Sequence, residues 1–434
     1  MSKPTSRLLR ARTHRGLAAR RWASVACVLL AAAAGAEARL LTPPLLDAPV
    51  SPPSAAPEDR LIAAAQAFER GQARLALDTV DALIDDEPTF RVAHYLRGRI
   101  FGALSGIPTP RLLPEHGDAL AALAEELELR LARNSLDEAR HMQPTAVLAL
   151  PDDVRYLLAV DLSAARLYLL ENGPDGVRLI ADRYAAMGSA GFGKEREGDL
   201  RTPLGIYRIT EWKDDASLPE LYGHGAFPVD YPNDWDRHRR RTGYGIWLHG
   251  VPRDTYTRVP RSSEGCVTLS NDAMAWLHDY IDIGVTPVVL ADRLQWATRE
   301  AVASERARFK TRIDDWRDAW AQRDTERYLS FYADNFTTEH QARPHFAAHK
   351  RAVNAGKAWI DVELRDLTIF DYPGEDDLRL VSFVQDYRSD NYESVSRKRQ
   401  YWRLQADGSW RIEREVELEE REIEPTALSA EARP

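Results

Sequence analysis

One stretch of the chain, Gly245 to Asn271, carries residue types that can act on each other. His249 closes a short apolar run, a polar loop follows, and Cys266 stands behind Gly265 and before Val267-Thr268-Leu269. A cysteine attacks as its thiolate, and an imidazole within about 3 Å supplies that form by taking the thiol proton. Residues 246 to 249 read as a buried strand and 266 to 269 as the start of the next, which sets both side chains at one end of adjacent strands. Gly265 lets the backbone pass close to a substrate, and its N–H together with that of Cys266 offers an oxyanion hole. The pair alone, one His and one Cys 17 residues apart, favours a blander reading: a buried free cysteine beside an unrelated histidine.

The surrounding residues change that balance. His249-Gly250, then Ser263-Glu264-Gly265-Cys266-Val267, then Asn271-Asp272 resemble the signature of the L,D-transpeptidase catalytic domain (YkuD family): H-G, a spacer, S-x-G-C-[IV] and commonly N-x-D. Upstream, Thr202-Pro203-Leu204-Gly205-Ile206-Tyr207 resembles the family's T-P-x-G-x-[FY] segment, with Gly188-Ser189 as the strand end before it. Downstream, Gly284-Val285-Thr286-Pro287-Val288-Val289-Leu290 resembles the closing G-T-P-V strand, so the likeness runs in order over about 154 to 292.

The resemblance implies acyl transfer on peptidoglycan without a cofactor. Cys266 is then the nucleophile on the carbonyl between meso-diaminopimelate and the terminal D-Ala of a tetrapeptide stem, and His249 the general base. D-Ala leaves, and an amine of a second stem, a protein or a small D-amino acid resolves the thioester. The Gly250 carbonyl or Ser263 holds the other ring nitrogen, and Gly265, Ser263, Gly250 and Glu264 make up the oxyanion and support set. Tyr222, Trp247, Arg261 and Thr268 are the expected substrate contacts. Two positions depart from the commonest pattern: Glu264 stands where His is frequent, and Thr268 where Arg or Asn is frequent. A carboxylate beside a thiolate raises its pKa unless a cation such as Arg261, Arg258 or Arg253 takes it up. Loss of the Arg weakens the clamp on an anionic stem, for which Arg237, Arg239, Arg240 and Arg241 are candidate substitutes. Two rivals stay open: hydrolysis of the same bond class by an L,D-carboxypeptidase or amidase, and a non-catalytic wall-binding scaffold.

These residues must be positioned by a chain of 434 residues, long enough for two or three cores. Residues 1–38 read as a signal peptide: seven Lys or Arg against one Glu, the apolar run Trp22 to Ala34, and Ala36-Glu37-Ala38 for cleavage. The protein is therefore expected in the periplasm, or anchored if the signal is kept. Cleavage removes Cys27 and leaves Cys266 without an internal disulfide partner. The formal charge is −9, and that basic start leaves the remainder at −15, which argues against a nucleic-acid partner. His224, His238 and His249 lack any zinc-ligand spacing, so no metal is expected.

The expected architecture is multidomain α+β. A Pro/Ala-rich linker spans 39–57, and a short helical, tetratricopeptide-like region spans 58–148, read either as a cap or as a partner-binding module. A mostly-β sandwich of YkuD type covers 152–293. Within it, residues 210 to 241 form a long insert, either a lid that grips substrate or a segment that packs on itself. A helix followed by alternating segments over 297–420, ending in Tyr401-Trp402-Arg403-Leu404 and Trp410-Arg411-Ile412, resembles the NTF2-like (SnoaL/DUF4440) cone, with a tail at 421–434. Expected partners are peptidoglycan stem peptides, and proteins through the helical and cone domains; the oligomeric state is left open.

Overall fold

The run Leu157-Leu158-Ala159-Val160 is apolar at consecutive positions, which a strand tolerates only when both of its faces are covered. In the computed structural model, which describes residues 56–106, 114–133 and 141–418, Tyr156–Asp161 is the middle strand of a five-stranded sheet. Its order is Gly176–Tyr184, Arg166–Gly173, Tyr156–Asp161, Pro287–Ala291, Gly205–Arg208. Tyr156–Asp161 and Pro287–Ala291 run parallel, and the other pairs antiparallel. Leu158 and Val160 share a core with Leu248, Val267 and Met274, the residues behind the candidate site. Leu157 and Ala159 share another with Phe370, Tyr372, Leu380 and Tyr401. One face thus carries the site and the other is covered by the C-terminal domain.

That domain is the expected cone, a long helix (Arg299–Ala321) against a curved six-stranded sheet. Alternation breaks between Leu364 and Leu367, yet the residues on both sides form one strand, Ile360–Asp371. A register shift between Arg365 and Thr368, with Asp366 at φ 55°, absorbs the break in alternation as a bulge. After the short helix Thr325–Ser330 the strand Tyr332–Thr337 begins. The edge of Ile360–Asp371 is covered at its end, at Ile369 and Phe370, by Val147–Ala149, which comes from the chain before the catalytic domain.

The N-terminal helices are Pro57–Glu69, Ala73–Asp86, Arg91–Leu104 and Pro114–Leu131. Leu61, Ala64, Val80, Leu83, Val92, Leu96 and Ile100 fall at helical spacing and form their shared core. The last helix ends at Leu131, and residues 142–149 form two short strands where the helical region was expected to continue. The expected signal peptide, nearly all of the linker and the tail lie outside the described residues.

The 210–241 insert divides in two. Lys213–Asp214 and Gly225–Pro228 join the site-bearing sheet. The short helix Asp234–His238 instead docks on the cone. Trp235 is fully buried, stacked on Tyr401 at 4.9 Å, with its Nε1–H donating to Glu375 at 3.1 Å. Asn233 Nδ2 donates to the Tyr372 hydroxyl at 2.8 Å, and Arg399 pairs with Asp234. The insert is neither wholly a lid nor packed on itself, because its second half joins the domains. Trp235→Ala removes the anchor, and the expected loss is about 3 kcal/mol or more. Faster limited proteolysis of the 291–299 connection, with a lowered thermal midpoint, is the measurement that checks it.

Candidate active site

The sheet on the site face has the order Val267–Thr268, Trp247–His249, Gly225–Pro228, Lys213–Asp214. Ile246, Leu248, Val267 and Leu269 hold it in place, each almost fully buried against the five-stranded sheet. Trp247–His249 and Val267–Thr268 run parallel, with Leu248 opposite Val267 and His249 opposite Thr268. Side chains alternate along a strand, so His249 and Thr268 face one way. Extending the register by one residue puts Cys266 beside Trp247 on that same face. The Cys266 thiol donates to the Gly245 carbonyl at 3.4 Å.

His249 is 3% exposed, and its Nδ1 lies 2.7 Å from the Gly250 carbonyl oxygen. A carbonyl only accepts, so Nδ1 carries the proton and Nε2 keeps its lone pair. Of the two supports considered for that nitrogen, Gly250 provides it. Ser263 instead braces the cysteine loop, its Oγ donating to the Cys266 carbonyl at 2.6 Å and accepting the Gly265 amide at 3.1 Å. The Gly265 N–H is therefore engaged within the loop. Gly265 has φ 128°, and a Cβ there would lie 2.7 Å from the Arg201 carbonyl oxygen, so the close approach it permits is by the protein's own backbone.

Burial shifts both groups toward neutrality. It pushes the Cys266 thiol up to about 11, with Glu264 adding to the rise and Arg258 and Lys194 opposing it. It lowers His249 to about 4 against the Gly250 hydrogen bond, which pulls upward. The half-buried Tyr222 lies over this pair, its ring edge-on to His249 at 4.9 Å and tilted against Trp247 at 4.9 Å. The resting pair is a neutral thiol and a neutral imidazole.

Other expected contacts lie elsewhere. Thr268 is 2% exposed, its amide bonded to the Ala186 carbonyl, and so does not face solvent as a substrate contact. Arg261 pairs with Glu125 of the last N-terminal helix at 2.7 Å, and Arg253 with Asp215 at 3.4 Å, so neither neutralises the exposed Glu264. Of the 237–241 arginines, Arg237 pairs with Asp234, and Arg239 and Arg241 reach Glu375 of the cone. Asn271 has a part that the motif did not reveal. Its Oδ1 accepts the His224 and Val251 amides and its Nδ2 donates to the Val251 carbonyl, pinning the turn after His249. A Cβ at Gly250 would lie 2.3 Å from that Oδ1.

The segment between base and nucleophile, 251 to 262, is gripped by the N-terminal helices. Tyr256 packs on Phe90 at 4.4 Å. The Thr257 hydroxyl donates to Glu126 and accepts from Arg130, each at 3.0 Å. Arg130 is 1% exposed, donates to Glu126 and Glu58, and lies 3.8 Å from the Tyr184 ring centre. Arg166, which also donates to Glu58, pairs with Asp182 and extends the network into the five-stranded sheet.

Comparison with known proteins bears on this geometry. The model of the L,D-transpeptidase catalytic domain, YkuD, matches residues 155–290. This is an L,D-transpeptidase catalytic domain. The model of the Cds6 C-terminal NTF2-like domain matches residues 308–416, so the cone is NTF2-like. Among solved structures, Bd1075 of Bdellovibrio bacteriovorus is 29% identical with TM-score 0.57, over 64% of this chain and 98% of that one. The helical cell shape determining protein Pgp2 of Campylobacter jejuni is 27% identical with TM-score 0.53, over 64% and 97%. Among curated proteins none matches this chain. A peptidoglycan-related function of the L,D-transpeptidase family follows from the YkuD domain.

Two outcomes are expected from the site. Alkylation of Cys266 by iodoacetamide still accelerates above pH 9, with an inflection near 11, and Glu264→Gln shifts that inflection downward. Arg130→Met strands buried carboxylates and costs about 3–5 kcal/mol, read as a fall in the denaturant midpoint.

Proposed function

We propose that this chain is a periplasmic L,D-transpeptidase that forms a thioester at Cys266 with peptidoglycan tetrapeptide stems and passes the acyl group to an amine. The observation that carries this reading is the tautomer of His249: with Nδ1–H held on Gly250, Nε2 keeps a free lone pair on a strand paired in parallel with Val267–Thr268, which Cys266 immediately precedes. The YkuD match and the likeness to Pgp2, a cell shape determining protein, support a wall substrate. The basic-then-apolar N-terminus supports export.

Because the thiol is held high and the imidazole low, no stable ion pair stores the thiolate, and the proton moves to Nε2 as sulphur attacks. The C–S bond forms, the carbonyl electrons move onto oxygen, and Arg258 and Lys194 favour the negative charge as it develops near sulphur. When the tetrahedral centre collapses, the C–N bond breaks and the imidazolium returns its proton to the amine of D-Ala. An incoming amine then reverses the sequence, losing its proton to Nε2 and releasing the thiol.

Purified protein incubated with disaccharide-tetrapeptide is expected to yield, by mass, a crosslinked dimer lacking one D-Ala. Loss of D-Ala without a dimer would assign hydrolysis instead. Cys266→Ala abolishes the product, and His249→Ala lowers kcat by roughly 10²–10⁴-fold. No product, together with Cys266 left unmodified by a carbapenem, overturns the enzyme reading.

A further inference from the structure

Between the N-terminal helices and the 251–262 segment lies a groove of about 310 Å³, lined by Arg91, Leu123, Glu126, Pro252, Arg258 and Ser262, among others. It is large enough for a small peptide fragment. Two of its walls carry guanidinium groups, Arg91 at the first turn of Arg91–Leu104 and Arg258 on the segment that leads to the nucleophile. Arg91 donates only to the neutral Thr255 hydroxyl, at 3.4 Å, and Arg258 only to the Leu221 carbonyl, at 3.4 Å. Among the described residues neither forms a salt bridge with a carboxylate. Glu126, the acid in the groove, is spent on Arg130 and Thr257.

The two cations act on each other. Burial presses the pKa of Arg258 below its ordinary value, the Cys266 thiolate opposes that, and the charge of Arg91 adds to the lowering. Arg258 shares the groove with Arg91 and donates to the carbonyl of Leu221, whose neighbour Tyr222 lies against His249 at 4.9 Å, so the groove opens beside the candidate site. Like charges left unneutralised in a groove favour an anion between them, and the planar fork of arginine matches a carboxylate.

We propose that Arg258 and Arg91 form a carboxylate-binding subsite beside Cys266, which takes a carboxylate of the donor stem peptide. This rests on the stem-peptide reading above. It gives the helical region, which lies outside both family matches, a part in substrate binding. It also supplies the anion clamp missing at Thr268, which is buried in the sheet. Two carboxylates of a tetrapeptide stem share this chemistry: the C-terminal one of D-Ala and the side-chain one of meso-diaminopimelate.

The test is calorimetric binding of the disaccharide-tetrapeptide to the full chain carrying Cys266→Ala, so that no turnover intervenes. Arg258→Gln and Arg91→Gln are each expected to raise Kd at least about tenfold. Arg253→Gln, which sits outside the groove, leaves Kd unchanged. A peptide amidated at D-Ala or at diaminopimelate binds the parent weakly, and the arginine variants no worse, for whichever carboxylate occupies the subsite. That insensitivity also separates lost contact from misfolding. Unchanged Kd in both arginine variants overturns the proposal, as does an equal loss for both amidated peptides. Turnover by the wild-type chain with indifferent arginine variants removes the subsite and keeps the enzyme. Carboxylate-dependent binding without turnover removes the enzyme and keeps the subsite.

Discussion

A sheet that is apolar on both faces needs two covers, and in this protein the two covers have different work. Leu158 and Val160 meet the small sheet that carries His249 and Cys266, while Leu157 and Ala159 meet the cone. Exposing the second face would leave Ile206, Val289 and their neighbours in water, at about 25 cal/mol for every Å² of apolar surface uncovered. The cone is therefore part of the catalytic domain's stability whatever else it binds. Its attachment is also polar and specific: Trp235, Asn233 and Asp234 each meet a partner of their own on the cone.

The site face follows a different logic. His249 and Cys266 sit on and just before short strands whose connection, 251 to 262, has little regular structure, so the connection is held from outside. Asn271 ties its start, the Arg130 network its middle and the Arg261–Glu125 pair its end. A buried ionic network is a poor source of stability, because removing its charges from water costs about what their attraction returns. What it offers here is position. The burial that makes the thiol and imidazole neutral depends on the same placement, since Tyr222 and Trp247 cover His249 only while the surrounding loops stay in register.

The sequence revealed local chemistry well and long-range partnership poorly. The order of His249-Gly250 and Ser263 to Val267 pointed to adjacent strands, and the structure pairs Trp247–His249 in parallel with Val267–Thr268, with Cys266 just before the second strand. The cone was legible from its helix and alternating strands, and its family match agrees. Two features were not legible, for one physical reason. The docking of Asp234–His238 on the cone and the grip of Arg130 on Thr257 each depend on residues far apart in the chain. Charged residues in a variable-looking insert read as solvated or substrate-facing until their partners are known. The Arg237 to Arg241 cluster shows this directly, since Glu375 lies more than a hundred residues away.

Val147–Ala149, the strand at the margin of the cone's sheet, also bears on how the molecule is made. It leaves the ribosome before the whole catalytic domain, whereas its neighbour Ile360–Asp371 emerges some two hundred residues later. During synthesis at roughly 5–20 residues per second, that stretch waits unpaired for on the order of ten seconds or more, along with the uncovered back of the central sheet. The two domains are thus successive in the chain but simultaneous in completion. Cutting the gene at the apparent boundary near residue 297 would sever this pairing and lengthen the open sheet edge on the C-terminal fragment, favouring aggregation over a free-standing module.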